Sequence, residues 1–152
     1  MKHNTTRLFG LILIVCLLAM GGCIQENILS FETISQNSFS GHTEQRDYVI
    51  NSQDAWVELW NTTMNGVTTQ LPEMPVVDFT DNTVIAVFFG QHSSLGYEIQ
   101  IEKIVENNTR VIVYVKESSP KPGEPAGSAL TQPYHIIKTK KITKEIIFTH
   151  SS

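Results

Sequence analysis

Apolar and polar positions follow two rhythms along this chain, and the switch between them outlines its elements. Trp56, Leu59, Trp60 and Thr63 recur at three- and four-residue intervals, with Glu58 and Asn61 facing the other way. That spacing predicts a helix with one buried face. Asn51 or Ser52 can cap its start, Asp54 suits its first turn, and Gly66 ends it after about residue 64. Elsewhere the period is two, or the apolar run is unbroken. Residues 83–89 are a continuous β-branched and aromatic run, expected of a central strand covered on both faces. Tyr97-Glu98-Ile99-Gln100-Ile101 alternates as a half-buried strand does, and the pattern continues to about residue 105. Shorter runs at 31–35, 46–50, 110–116, 134–139 and 145–149 read as further strands.

Turn chemistry separates these runs. Glu106-Asn107-Asn108-Thr109 has the composition of a hairpin turn, in which Asn tolerates the left-handed backbone. Residues 67–79, with Pro72 and Pro75, should be loop or irregular edge, and 90–96 should be a Ser- and Gly-rich turn. Three prolines and two glycines within 118–128 demand a loop, and Lys140, Lys141 and Lys144 mark a turn between the last two strands. One early helix and about seven mostly hairpin-connected strands predict an α+β, mainly β domain over residues 31–152. The expected architecture is an antiparallel sheet or open barrel with the N-terminal helix packed against it.

The first 23 residues follow a different logic. Lys2 and Arg7 precede a 13-residue apolar stretch, 8–20, which ends in Met20-Gly21-Gly22-Cys23. The stretch has the length of a signal-peptide core and falls short of the ~20 residues of a usual spanning helix. Small residues ahead of a cysteine resemble the bacterial and archaeal lipobox. We therefore expect a signal peptide over 1–22, lipidation of Cys23, and a short tether over 23–30. Two rival readings are an uncleaved anchor helix and ordinary secretion. All three place the rest of the chain outside the cytoplasm, and lipidation would hold it on the cell surface or periplasmic face of a membrane.

Removing 1–22 takes away Lys2 and Arg7, leaving nine basic against fifteen acidic side chains, a net charge of −6. Such a surface disfavours nucleic acid. Cys16 leaves with the signal and Cys23 takes the lipid, so the domain has neither a disulfide nor a cysteine metal ligand. Asn61-Thr62-Thr63 and Asn107-Asn108-Thr109 match the glycosylation acceptor pattern.

Candidate chemistry is thin. Ser93 and Ser94 adjoin His92, but no G-x-S-x-G elbow is present and neighbouring strand residues point to opposite faces. His3, His42, His92, His135 and His150 show no metal-ligand spacing and read as exposed loop or strand-edge side chains. Asp78 and Asp81 read as turn residues, and Trp56 and Trp60 as core. No catalytic residue, metal or cofactor is assigned. The stronger signal lies in two loops, Ser93-Ser94-Leu95-Gly96-Tyr97 and Thr131-Gln132-Pro133-Tyr134. Gly96 permits a sharp bend before Tyr97, while Pro133 fixes its own backbone and biases Gln132 towards extended geometry. Rigid loops lose little entropy on docking, so these nine residues are candidate partner-binding positions. Alternatively, Tyr97 and Tyr134 simply start strands within the core.

The order of these motifs resembles the PrcB carboxy-terminal domain family. The pieces are Trp56-Val57-Glu58-Leu59-Trp60, Val77-Asp78-Phe79, Gly90, Gly96-Tyr97, Pro120 and Ala129-Leu130-Thr131-Gln132-Pro133-Tyr134, spanning roughly 45–149. Leu95 departs from the small residue that the family tends to place before Gly-Tyr. The resemblance implies a non-catalytic protein partner that binds or stabilises a cell-surface protease. The Gly-Tyr turn and the proline-bearing loop also resemble the loops of chagasin-type cysteine-protease inhibitors. A lipoprotein binding small ligands or glycans through exposed aromatic side chains is the third reading.

Overall fold

The computed structural model describes residues 26–65, 72–123 and 127–152. The signal segment, Cys23, Gly66 and residues 124–126 lie outside them. Among the described residues, eight strands form two four-stranded sheets, and one helix covers the outer face of the second. The first sheet has the order β1 (Asn27–Leu29), β5 (Glu98–Glu106), β6 (Arg110–Ser118), β8 (Glu145–Ser151). The second has the order β2 (Phe31–Asn37), β7 (Tyr134–Lys140), β4 (Asn82–Phe89), β3 (Gln45–Ile50), and α1 (Gln53–Asn65) joins β3 to β4. The β-rich class with one helix is thus the expected one, realised as two open sheets and not a closed barrel.

The continuous apolar run in β4 is explained by this layering. Ile85 and Val87 enter the core between the sheets, while Val84, Ala86 and Phe88 enter a second core beneath α1. The helix buries Trp56, Leu59, Trp60, Thr63 and Met64 there, leaving Glu58 and Asn61 exposed. The indoles are satisfied as well as buried: Trp56 Nε1 donates to the Pro75 carbonyl at 3.0 Å and Trp60 Nε1 to that of Pro72 at 3.4 Å. Asn51 does not cap the helix with its side-chain oxygen, which accepts the Thr83 hydroxyl at 2.7 Å; Ser52 occupies the position before the first helical residue.

Inward alternation in β5 changes phase at a bulge between Ile101 and Lys103. Ile99 and Ile101 face the core before it and Ile104 after it, so Lys103 stays outside. The β5–β6 turn closes through the Asn107 side chain, whose Oδ1 accepts the Thr109 and Arg110 amides at 2.9 Å each. Among the described residues only glycines have positive φ, so this turn works by an Asn hydrogen bond rather than by a left-handed Asn.

Three expectations are corrected. Residues 27–29, expected as tether, form β1, antiparallel to β5 with Leu29 buried. The last two strands are not a hairpin: β7 lies in the second sheet, and β8 returns to the first, parallel to β6. The chain turns between sheets at Ile142, whose amide donates to Thr83 Oγ1 at 3.0 Å. Nor are all the histidines peripheral, since His135 is 1 % exposed at the centre of the sandwich.

Candidate functional site

Two connections carry the chain between the sheets at one end of the sandwich. Residues 90–97 pass from β4 to β5, and residues 119–133 pass from β6 to β7. They contain the stretches singled out by sequence, 93–97 and 131–133, and they are bonded together. His92 and Thr131 form an antiparallel bridge, with reciprocal amide–carbonyl bonds of 2.8 and 3.0 Å. The Thr131 hydroxyl donates to the Ser94 carbonyl at 3.0 Å, and the Leu95 amide donates to the Gly127 carbonyl at 2.9 Å. On the other side, the Gln132 amide donates to the Ser38 carbonyl at 2.9 Å, and the Phe89 amide to that of Pro133 at 2.9 Å. Each loop therefore supplies the backbone partners that the other would lack at a sheet crossing.

Gly96 is required here on two counts. Its φ is +91°, and a Cβ on it would lie 3.0 Å from Cγ of Pro120. Two separated sequence motifs, Gly96-Tyr97 and Pro120, thus pack directly on each other. Tyr97 then lies flat on the His92 ring, centroids 3.9 Å apart and planes 8° apart, with Phe89 edge-on to both. His92 Nε2 is buried without a hydrogen-bond partner, so through that atom it serves neither Ser93 nor Ser94 as a base.

The nine predicted positions separate by exposure. Thr131, Pro133 and Tyr134 are buried and hold the loops in place. The Tyr134 hydroxyl bonds Ser35 Oγ at 2.8 Å, its ring stacks on Phe88, and burial raises its pKa against the lowering effect of that hydrogen bond. Ser94, Tyr97 and Gln132 are half-buried, and Ser93, Leu95 and Gly96 are exposed. Leu130, 59 % exposed, lies beside them, and its sequence signal is an aliphatic side chain inside a polar loop. Residues 90–97 and 127–134 contain no Asp, Glu, Lys or Arg, although the second crossing also carries Lys121 and Glu124. Beside it opens a cleft of about 270 Å³, walled by Asn37 and Ser38, by Tyr97 and Glu98, and by Pro133.

Residues 83–140 match the PrcB C-terminal family model. The matched PrcB C-terminal segment begins in β4, ends in β7 and includes both crossing loops with Gly96, Pro120 and Gln132-Pro133-Tyr134. It is narrower than the span of the motif resemblance, leaving α1 and its tryptophans outside. No curated protein and no solved structure gives a significant match to the chain. Of the two acceptor triplets, Asn61 is exposed on α1, whereas Asn107 is half-buried and engaged in its turn. Among the described residues, no cluster of His, Cys, Asp and Glu could hold a metal.

Proposed function

We propose that this chain is a non-catalytic, extracytoplasmic lipoprotein whose paired crossing loops dock onto a protein partner, with a cell-surface protease as the partner class that the PrcB C-terminal match suggests. The observation carrying this reading is the bonded loop pair, which offers exposed Leu95 and Leu130 on a tip fixed by the His92–Thr131 bridge. Such a tip is organised before binding and so loses little entropy when it docks.

The direction of the chain supports the anchored arrangement. Asn27 lies opposite Glu106, the far end of β5 from Glu98, where the crossing loop enters. At about 3.3 Å per residue, β5 is roughly 26 Å long. A lipid on Cys23, four residues before Asn27, would hold the β5–β6 turn towards the membrane and present the loops outward. A partner would then meet the loops away from the lipid surface.

The test is affinity capture from native membranes with the full chain and with Leu95→Asp/Leu130→Asp. The expected result is recovery of a protease by the wild type and a loss of at least about tenfold in affinity for the variant, at unchanged thermal midpoint, since both side chains are exposed. Equal recovery by the two proteins would remove the loops from the interface. Direct inhibition through the same tip is the second reading, favoured by the adjacency of the loops; there Tyr97→Ala should weaken inhibition in assays against cysteine, serine and metalloproteases. The glycan-binding reading loses its main support, because Trp56 and Trp60 are 0 % and 5 % exposed.

A further inference from the structure

The outer strands β3 and β8, which belong to different sheets, are joined by a polar contact. His150 on β8 stands between two carboxylates, its Nδ1 2.6 Å from Glu117 Oε1 on β6 and its Nε2 2.9 Å from Asp47 Oδ2 on β3. Gln45, also on β3, donates to the same Glu117 oxygen at 2.7 Å. A neutral imidazole has one N–H and one lone pair, so it can satisfy only one of two carboxylates. Contacts of this length on both ring nitrogens fit a ring donating from both. The trio therefore carries one proton more than a neutral ring and two carboxylates would.

We infer that Asp47, His150 and Glu117 form a proton-operated clasp between the edge strands β3 and β8, closed while His150 is an imidazolium and loosened when that proton leaves. The groups facing the ring are Asp47 from β3 and Glu117 from β6, with neutral Gln45 beside them. Arg46 is turned to the Tyr48 ring, and Lys116 pairs with Glu102, so neither cation takes part. All three side chains are largely covered, between 17 % and 26 % exposed. Asp47 Oδ1 is buried without a hydrogen-bond partner, which leaves that carboxylate dependent on the imidazolium for compensation. The carboxylates sit on different nitrogens of one ring and do not converge on a point, an arrangement suited to a proton and not to a metal ion.

Burial pulls the His150 pKa down, but the hydrogen bonds and charges of Asp47 and Glu117 outweigh it and hold it above the ordinary value near 6.5. The clasp therefore stabilises fully below about pH 6.5 and is lost as pH rises through the higher folded-state value. What loosens is local. Among the described residues β8 is an edge strand paired only with β6, so its residues can open while β4 and β7 stay closed.

The test follows the His150 ring by NMR in the full chain, with hydrogen exchange of the β8 amides corrected for intrinsic rate. Expected are an apparent His150 pKa above about 6.5 and a roughly two- to fivefold loss of β8 protection between roughly pH 6 and pH 9. H150Q and E117Q should both flatten that pH dependence, and E117Q should also lower the His150 pKa. The inference is overturned by a His150 that titrates at or below about 6.5, by variants that keep the wild-type slope, or by β4 amides opening together with those of β8.

Discussion

His135 and His150 each bridge the two sheets, one from the centre of the sandwich and the other from its edge. At the centre, His135 Nδ1 accepts the Ile101 amide across the sandwich at 2.9 Å, beside the β5 bulge, and Nε2 donates to Thr33 Oγ1 at 2.9 Å. The bond at Nδ1 needs a neutral ring, and burial pushes its pKa down to about 4. At the edge, His150 meets acceptors on both nitrogens and is held charged. The same side chain thus ties the sheets by opposite protonation states, decided by what faces Nδ1: an amide N–H in one case and a carboxylate in the other. In the centre a proton would set one N–H against another; at the edge its absence would set a lone pair against a negative oxygen.

The largest expected effect that separates the two ties is on stability. His135→Ala removes a fully buried ring and orphans the Ile101 N–H, a combined cost of about 3–4 kcal/mol. His150→Gln at about pH 6 should cost about 1 kcal/mol or less, because that site is partly open to solvent. Denaturant midpoints of the two variants check the ratio, and equal losses would break the distinction between centre and edge. Next in size is the shape of the pH profile. His135 is neutral when folded, so stability falls as pH drops below about 6.5 and levels off below about 4, a change of about 3 kcal/mol. His150 acts in the other direction above about 6.5, so the profile should peak between the two limbs. His135→Asn, which keeps an acceptor for the Ile101 amide but cannot titrate, should flatten the acid limb alone.

How the ties differ shows where sequence reasoning reaches and where it stops. The two tryptophans at helical spacing, the unbroken run of β4 and the alternation of β5 were legible because each follows from a local period. So was the stiffness of 93–97 and 131–134, since Gly96 and Pro133 act on their own backbone. The bonding of those loops was not, because His92 and Thr131 lie 39 residues apart and their pairing depends on which sheet each flanking strand joins. The same gap hid the crossing at Ile142, where a local pattern of strand, turn and strand matches a hairpin as well as a change of sheet. His135 did carry a signal: a polar ring in Tyr134-His135-Ile136-Ile137, inside a run otherwise suited to burial. Residue spacing alone gave no partner for it, and its partners Thr33 and Ile101 come from β2 and β5.

The smallest effect is also the most discriminating. Thr33 lies on the edge strand β2, next to its bulge, and its hydroxyl is the acceptor for His135 Nε2. Thr33→Val removes that acceptor at nearly constant volume. His135 is buried, so its Nε2–H loses its acceptor except where water enters at the exposed edge beside Thr33, and the loss should be about 1 kcal/mol. The acid limb should stay where it is, since Nε2 carries a hydrogen in both protonation states while the titrating proton would go to Nδ1, against the Ile101 amide. Chemical denaturation of Thr33→Val between about pH 4 and pH 7 measures both quantities. A limb that moved up towards the ordinary histidine value would mean that Thr33 keeps His135 neutral. The central tie would then depend on a solvent-facing strand, as the His150 clasp does, and the difference between centre and edge would disappear.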